Sequence, residues 1–362
     1  MRPKEGQRVR FVRPADWKGA GLSREERQPT ISVVVPSHNS CATILRSLQS
    51  VYAQTVPAHE IVVVDDGSSD GTAEQVMEKH PDARVLHQPQ SGPGPARNNG
   101  ALHARGEWVA FLDADDVWLP DHLERLSDAT RAFPDVLLVG SRAPKRSTAG
   151  RCAPRLRRLG RRSPVRRDYF VLAKRFRLHG AVDVSSIAVL RTVFTERGLR
   201  FPSEWRSEDM AFFCSVGALG FMGWVPEPTV IVSRTPGSLT SRVKIAAGEA
   251  DCAHALRAPH YRVMTQLLED ASLGSARRSA IRRFRDDLIA RHWLNIIAAG
   301  HQHCAREVLL TMRGTRTLQV LLLRVAARTP RWLSRSFGPT IQALMQLVGL
   351  PSTSPFVPRV FH

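Results

Sequence analysis

The stretch Val109-Ala110-Phe111-Leu112-Asp113-Ala114-Asp115-Asp116-Val117-Trp118 constrains this chain more than any other. An apolar run short enough for a buried strand ends in a burst of carboxylates, and like charges crowded together are costly unless a cation sits among them. Oxygen ligands at a strand end suit Mg2+ or Mn2+, hard cations that usually also hold substrate phosphates. Asp113 and Asp115, spaced i and i+2, are therefore the candidate metal and nucleotide-diphosphate site. The competing reading is an Asp-rich cap on a helix beginning at Pro120-Asp121-His122-Leu123.

The neighbouring segments repeat the pattern. Ile31-Ser32-Val33-Val34-Val35 reads as a strand stopped by Pro36, which cannot donate to a ladder. Ser40 is placed to cap a helix carrying Ile44, Leu45, Leu48 and Val51 at helical spacing. A second strand, Ile61-Val62-Val63-Val64, runs into Asp65-Asp66-Gly67-Ser68-Ser69-Asp70-Gly71-Thr72, where Thr72 can cap the next helix. A third strand at Arg84 to His87 leads to Ser91-Gly92-Pro93-Gly94-Pro95-Ala96-Arg97-Asn98-Asn99-Gly100. The prolines predict a loop, with a helix starting at Ala96; its free backbone N–H groups would attract an anion, and Arg97 adds a permanently charged donor. A helix from Pro120 and a strand at Val136-Leu137-Leu138-Val139 follow. Strand, acidic turn, helix, strand is the rhythm of a parallel α/β sheet, whose ligands bind outside the carboxyl ends of the strands.

From Arg142 to Arg167 arginine and proline abound and no acidic residue occurs, so the segment reads as a charged, flexible insertion or loop. It is either a solvated linker or a basic patch facing an acceptor or a membrane. Order resumes near Asp183 with Val184-Ser185-Ser186-Ile187-Ala188-Val189-Leu190, and apolar residues from Met210 to Leu219 place Glu208 and Asp209 in the first turn of a buried helix. Carboxylates there are also what simple helix capping would select. A strand at Thr229-Val230-Ile231-Val232 and the turn Thr235-Pro236-Gly237-Ser238 follow. Beyond about residue 243 the pattern is helical. Leu321-Leu322-Leu323-Arg324-Val325 and the segment from Arg331 to Leu350 combine Arg with Trp and Leu, as interfacial helices do and as helices packed on a domain would. His301-Gln302-His303-Cys304 does not converge on one helical face, and Asp286-Asp287 reads as a salt-bridging helix surface. Three regions result: a basic, poorly ordered leader at 1–29, an α/β domain at 30–242, and a helical region at 243–362.

Charge narrows the partners. Lys and Arg number 52 against 33 Asp and Glu, a formal charge of +19, which calls for nucleic acid, a lipid headgroup surface or a phosphorylated substrate. The basic region lacks interleaved aromatics and shows no finger or RRM motif, so no specific nucleic acid is expected. The five cysteines are scattered and form no CxxC pair, which argues for a reducing compartment and against a zinc site. With no apolar N-terminal segment and no run long enough to span a bilayer, the expected location is the cytoplasm, with peripheral contact to the inner face of the plasma membrane.

Four motifs stand in one order: Val33-Val34-Val35-Pro36-Ser37-His38-Asn39, Asp65-Asp66-Gly67-Ser68-Ser69-Asp70-Gly71-Thr72, Gly94-Pro95-Ala96-Arg97-Asn98-Asn99-Gly100, and Phe111-Leu112-Asp113-Ala114-Asp115-Asp116. With Ser207-Glu208-Asp209 downstream, residues 30 to about 241 resemble the family-2 glycosyltransferases, inverting enzymes of the GT-A nucleotide-diphospho-sugar transferase fold. The resemblance implies a mostly parallel central sheet flanked by helices. It implies transfer of a sugar from a nucleotide-diphospho-sugar, a UDP-sugar being favoured, to a saccharide or lipid-linked hydroxyl acceptor in cell-surface polysaccharide or glycolipid synthesis. Pro36 and His38 then form the floor of the nucleobase pocket, Asn39 joins the nucleotide-sugar site, Asp66 with Asp65 beside it accepts the uracil N–H, and Arg97 lies near the nucleotide. Asp115 is the first choice as ligand of Mn2+ or Mg2+, Asp113 contacts ribose or metal, and Asp116 is an alternative. Asp209, with Glu208 beside it, matches the catalytic base. One departure stands out: Ser233 and Thr235 occupy positions where the family often carries Arg and His, and Arg234 between them is the available substitute. A catalytically inactive scaffold, a basic nucleic-acid-binding protein and a sugar-phosphate or nucleotidyl transferase are the competing functions.

Overall fold

A computed structural model describes residues 28–142, 163–175, 182–204, 207–233 and 258–298, without the side chains of 174–175 and 290–298. Most of the leader and of the Arg-rich insertion, Arg234 with the Pro-Gly-Ser turn, His301 to Cys304 and the Arg/Trp/Leu tail lie outside the described residues.

The core is an eight-stranded sheet. Strands β1 (Ile31–Ser37), β2 (Glu60–Asp65), β3 (Arg84–His87) and β4 (Trp108–Phe111) run parallel in the order β3-β2-β1-β4. The sheet continues through β8 (Ile187–Leu190), antiparallel to both β4 and β6 (Leu138–Ser141), then β9 (Met222–Val225), parallel to β6, and the antiparallel edge strand β7 (Val165–Arg167). A small ribbon pairs β5 (Val117–Trp118) with β10 (Val230–Ile231). Strands β1 and β4 are buried along their whole length, as expected of a parallel sheet covered on both faces.

Helices α1 (Ile44–Tyr52), α2 (Thr72–Lys79), α3 (Pro93–His103) and α4 (His122–Ala132) connect the strands. Helix α3 lies against β1 and β2, where a Cβ at Gly100 would come within 2.4 Å of the Val34 side chain. Helix α7 (Glu208–Leu219) enters from the second half of the sheet, with α5 (Tyr169–Arg175) and the short α6 (Thr192–Thr195) before it. Helix α8 (Pro259–Glu269) packs on α7, and α9 (Ser275–Ala298) on α5. Phe284 of α9 sits against Tyr169 and Phe170, and Arg277 donates to the Gly217 and Gly220 carbonyls that end α7. The start of the helical region is therefore attached to the α/β domain by a packed aromatic cluster. Asp286 in α9 is buried and pairs with Arg285, rather than lying on an open face.

Several local expectations are corrected. Pro36 does not stop β1; it stays in register with Val64. Its missing N–H faces the β4 side, where pairing has already ended at Val34 and Phe111, so nothing is lost. Ser40 and Thr72 do not cap by side chain: Thr43 and Gly71 occupy the cap positions, and Thr72 Oγ1 accepts the Ser40 N–H. Helix α3 begins at Pro93, not Ala96, because prolines in a first turn have no intrahelical N–H bond to lose. The end of the Arg-rich stretch is an edge strand rather than loop, with Arg166 paired to Asp135 and stacked over Phe221.

Candidate active site

Four strand ends on one edge of the sheet, at β1, β2, β3 and β4, carry the motif residues. At the β2 end, Asp66 is 4% exposed; its Oδ1 accepts from Ser91 N–H at 2.8 Å and Gln88 Nε2 at 2.7 Å, and its Oδ2 from Gly92 N–H at 2.8 Å. The carboxylate thus holds the loop that leads into α3. Asp65 accepts from Ser68 N–H at 3.3 Å and faces His87 Nδ1 at 3.4 Å. His38 lies within 2.9 Å of the Asp66 carbonyl through Nδ1. A carbonyl can only accept, so Nδ1 carries the proton and Nε2 accepts from the Gln90 amide at 3.0 Å. This leaves the exposed imidazole fixed in orientation at the strand ends.

Asn39 adopts a left-handed φ of 48° and ties the two loops together, donating its N–H to Ser68 Oγ and accepting from Ser69 N–H at 2.9 Å. Asp70 accepts from Cys41 N–H and from the Thr72 N–H and hydroxyl. Burial works to raise its pKa, but these hydrogen bonds prevail and hold it below the usual carboxylate range.

The acidic turn after β4 is held by its backbone. Ser47 Oγ donates to the Ala114 carbonyl and Arg46 to the Asp115 carbonyl, each at 2.9 Å, while Asp113 N–H donates to Ser185 Oγ at 3.1 Å. Asp113 and Asp115 are half-buried, and Asp113 Oδ1 accepts from Arg97 Nη2 at 2.8 Å. Asp116 is different: it is 2% exposed, its Oδ2 takes the Ser185 hydroxyl at 2.6 Å and its Oδ1 the Ser233 N–H at 2.8 Å. Burial, reinforced by the charges of Asp113, Asp183 and Asp115, pushes its pKa well up. Asp116 is a structural tie between the turn, the segment before β8 and the end of β10.

Opposite lies the start of α7. Ser207 has a left-handed φ of 57°, an uncommon conformation for a residue with a side chain, directly before Glu208 and Asp209. Glu208 Oε1 accepts from Arg97 Nη1 at 2.9 Å. Burial raises the Glu208 pKa, the Arg97 charge opposing it. Asp209 accepts from its neighbour's Met210 N–H at 2.7 Å. Burial and then the Asp183 charge raise its pKa.

The fold therefore brings Pro36, His38, Asn39, Asp65, Asp66, Arg97, Asp113, Asp115, Glu208 and Asp209 to one edge of the sheet; Arg234 is outside the described residues. Sequence reading missed Gln88, Gln90, Arg46, Asp183 and Ser185. The glutamines flank Pro89 beyond a strand end, a polar signal in a ligand-facing loop. Ser185 is a hydroxyl inside an apolar run, which periodicity alone passes over. Among the described residues no group of three or more His, Cys, Asp or Glu side chains forms a closed metal cage. A pair of carboxylates does fit Mg2+ or Mn2+ where substrate phosphates and water complete the shell; Asp113, Glu208 and Asp209 act on one buried arginine, Arg97, and Asp116 feels the charges of Asp113, Asp183 and Asp115.

The family described as "Glycosyl transferase family 2" matches residues 32–197. The succinoglycan biosynthesis protein ExoO of Rhizobium meliloti is 42% identical over 110 residues, 30% of this chain and 31% of that protein. The UDP-Glc:alpha-D-GlcNAc-diphosphoundecaprenol beta-1,3-glucosyltransferase WfgD of Escherichia coli is 39% identical over 97 residues, 26% of this chain and 38% of that protein. The matched stretch thus spans about a third of these relatives' length. Residues 1–349 of S. aureus TarS, solved in complex with UDP-GlcNAc, superpose with a TM-score of 0.56 at 16% identity, over 88% of each chain. That likeness establishes the GT-A fold, a mostly parallel sheet flanked by helices. Residues 32–197, a little under half of this chain, are thus similar to glycosyl transferase family 2.

Proposed function

We propose that the protein is an inverting, metal-dependent glycosyltransferase that moves a sugar from a nucleotide-diphospho-sugar, a UDP-sugar, to a hydroxyl acceptor in cell-surface polysaccharide or glycolipid synthesis. The observation that carries this reading is the meeting, at one sheet edge, of the Asp66 cradle, the Asp113/Asp115 turn and the Asp209 helix start. Relatives named for succinoglycan biosynthesis and for a UDP-glucose reaction, and a fold neighbour solved with UDP-GlcNAc, support the donor and acceptor classes.

In this reading the loops of 38–41, 65–72 and 88–92 receive the nucleoside, and His38 offers its ring face to the base. Asp113 and Asp115 would hold Mn2+ or Mg2+, which as a Lewis acid neutralises a leaving diphosphate. The acceptor hydroxyl oxygen attacks the anomeric carbon on the face opposite the diphosphate. The sugar–diphosphate C–O bond breaks with its electron pair leaving on the diphosphate oxygen, and the hydroxyl proton passes to Asp209. One displacement inverts the anomeric centre, and no covalent enzyme intermediate is required. Surface contact of the basic chain with an anionic membrane would bring a lipid-linked acceptor within reach; among the described residues no helix is long and apolar enough to cross a membrane. The test is nucleoside diphosphate release from UDP-glucose, UDP-GlcNAc and GDP-mannose with and without Mn2+. Release that requires Mn2+ and is fastest with a uridine donor supports the proposal; well-folded protein that releases nothing from any donor refutes it.

A further inference from the structure

Helix α3 grips the segment that carries Glu208 and Asp209 at three successive levels. At Gly94 the two backbones meet so closely that a Cβ would lie 2.2 Å from the Pro202 carbonyl oxygen and 3.4 Å from Glu208 Cγ. Arg97 reaches over the Phe201 ring, 5.5 Å from its centroid, to Glu208. Asn98 pincers the Phe201 backbone, donating to its carbonyl at 2.8 Å and accepting its N–H at 2.9 Å. On its other side the same helix reaches the Asp66 cradle, since Asn99 donates to Gln88 Oε1 at 2.8 Å and Gln88 donates to Asp66. The Arg97 guanidinium, 4% exposed, is divided between Asp113 at 2.8 Å and Glu208 at 2.9 Å. It is a planar fork with a carboxylate on each prong, one from each half of the site.

We infer that Arg97 and Glu208 are positioning residues: the Asp113–Arg97–Glu208 bridge sets the separation between the donor-side carboxylates and Asp209, and Asp209 alone takes the acceptor proton. The inference rests on the glycosyltransferase reading and assigns work within its site. Glu208 is 8% exposed and commits an oxygen to a permanently charged partner, so it is poorly placed to meet an incoming hydroxyl. Asp209 follows it at the helix start, and the hydrogen bond shown for its carboxylate comes from its neighbour's backbone. A misplacement of about 1 Å in such an arrangement is enough to cost roughly a hundredfold in rate.

The test compares Glu208→Gln, Glu208→Ala and Asp209→Asn in the full chain, measuring UDP release from UDP-glucose with Mn2+ across pH. A glutamine keeps an oxygen for Arg97, so Glu208→Gln should stay within about tenfold of wild type with the same pH profile. Glu208→Ala should lose about a hundredfold in kcat with little change in donor KM, and Asp209→Asn about a hundredfold or more together with the acidic limb of the profile. A Glu208→Gln protein as inactive as Glu208→Ala, alongside an active Asp209→Asn, would overturn the assignment. Thermal unfolding of Arg97→Met, Glu208→Ala and the double variant tests the bridge without activity. A double variant less destabilised than the sum of the singles supports the bridge, and strict additivity overturns it. If wild type turns over no donor, the functional reading falls and the positioning role with it, whether or not the cycle shows the bridge.

Discussion

Placing one methyl group on Gly94 should impair both stability and turnover. Its Cβ would lie 2.2 Å from the Pro202 carbonyl oxygen, backbone that has no rotamer with which to move aside. An ordinary carbon–oxygen contact is about 3.3 Å, so α3 and the Phe201–Pro202 segment must part by about 1 Å. If α3 takes up that shift as a rigid body, the Arg97–Glu208 contact opens from 2.9 Å to about 3.9 Å, beyond hydrogen-bond reach. Overpacking of this kind costs about 1–3 kcal/mol, which in a domain of this size lowers Tm by roughly 2–10 °C. Loss of the bridge should add about a hundredfold in kcat, if base and donor are held by it. The control is Gly220→Ala, where nothing lies within 4 Å and the extended backbone is open to any residue. Differential scanning fluorimetry and UDP-release kinetics on both variants decide the matter. Gly94→Ala with the Tm and kcat of Gly220→Ala would show that α3 does not set the position of α7.

Two further outcomes follow from buried polar groups. His122 stacks on Trp118, shares a hydrogen bond of 2.5 Å between Nδ1 and Thr229 Oγ1, and burial lowers its pKa to about 3. The unfolded value is about 6.5. Between these values the unfolded chain binds a proton that the native state refuses, so stability rises with pH across the window and is lost as pH falls through it. Urea unfolding at pH 6 and pH 4 should show His122→Asn losing roughly 2 kcal/mol less than wild type over that interval; equal losses would contradict the buried neutral imidazole. Ser185→Ala removes the hydroxyl between Asp113 N–H and Asp116. It should cost about 1–3 kcal/mol and weaken Mn2+-dependent UDP binding by calorimetry, whereas a Ser185→Ala protein matching wild type in both would show that the acidic turn holds its shape unaided.

The parallel half of the fold was legible because β1, β2 and β4 are buried apolar runs that end in turns of special composition. Val109 to Phe111 before Asp113, and Ile61 to Val64 before Asp65, announce both the strand and the edge at which ligands meet. The antiparallel half was harder. Met222-Gly223-Trp224-Val225 has a glycine in the strand, and Val165-Arg166-Arg167 is a strand only because β9 offers it a partner. Residue roles were less legible than residue positions. Asp116 and Asp115 are chemically identical neighbours, and only burial with Ser185 and Ser233 separates a structural tie from a half-buried carboxylate. The prolines of α3 misled for a local reason: first-turn positions tolerate what an interior turn rejects.

The central claim is a uridine-nucleotide site completed by a divalent cation at Asp115 and Asp113. Isothermal titration of UDP, UDP-glucose, UDP-GlcNAc and GDP-mannose into wild type and Asp115→Ala, with and without Mn2+, tests it most directly. The account predicts uridine-nucleotide binding that requires Mn2+ in wild type and is lost in Asp115→Ala at unchanged Tm. Nucleotide binding that is indifferent to Mn2+ and to Asp115, or no binding by folded wild-type protein, would contradict it.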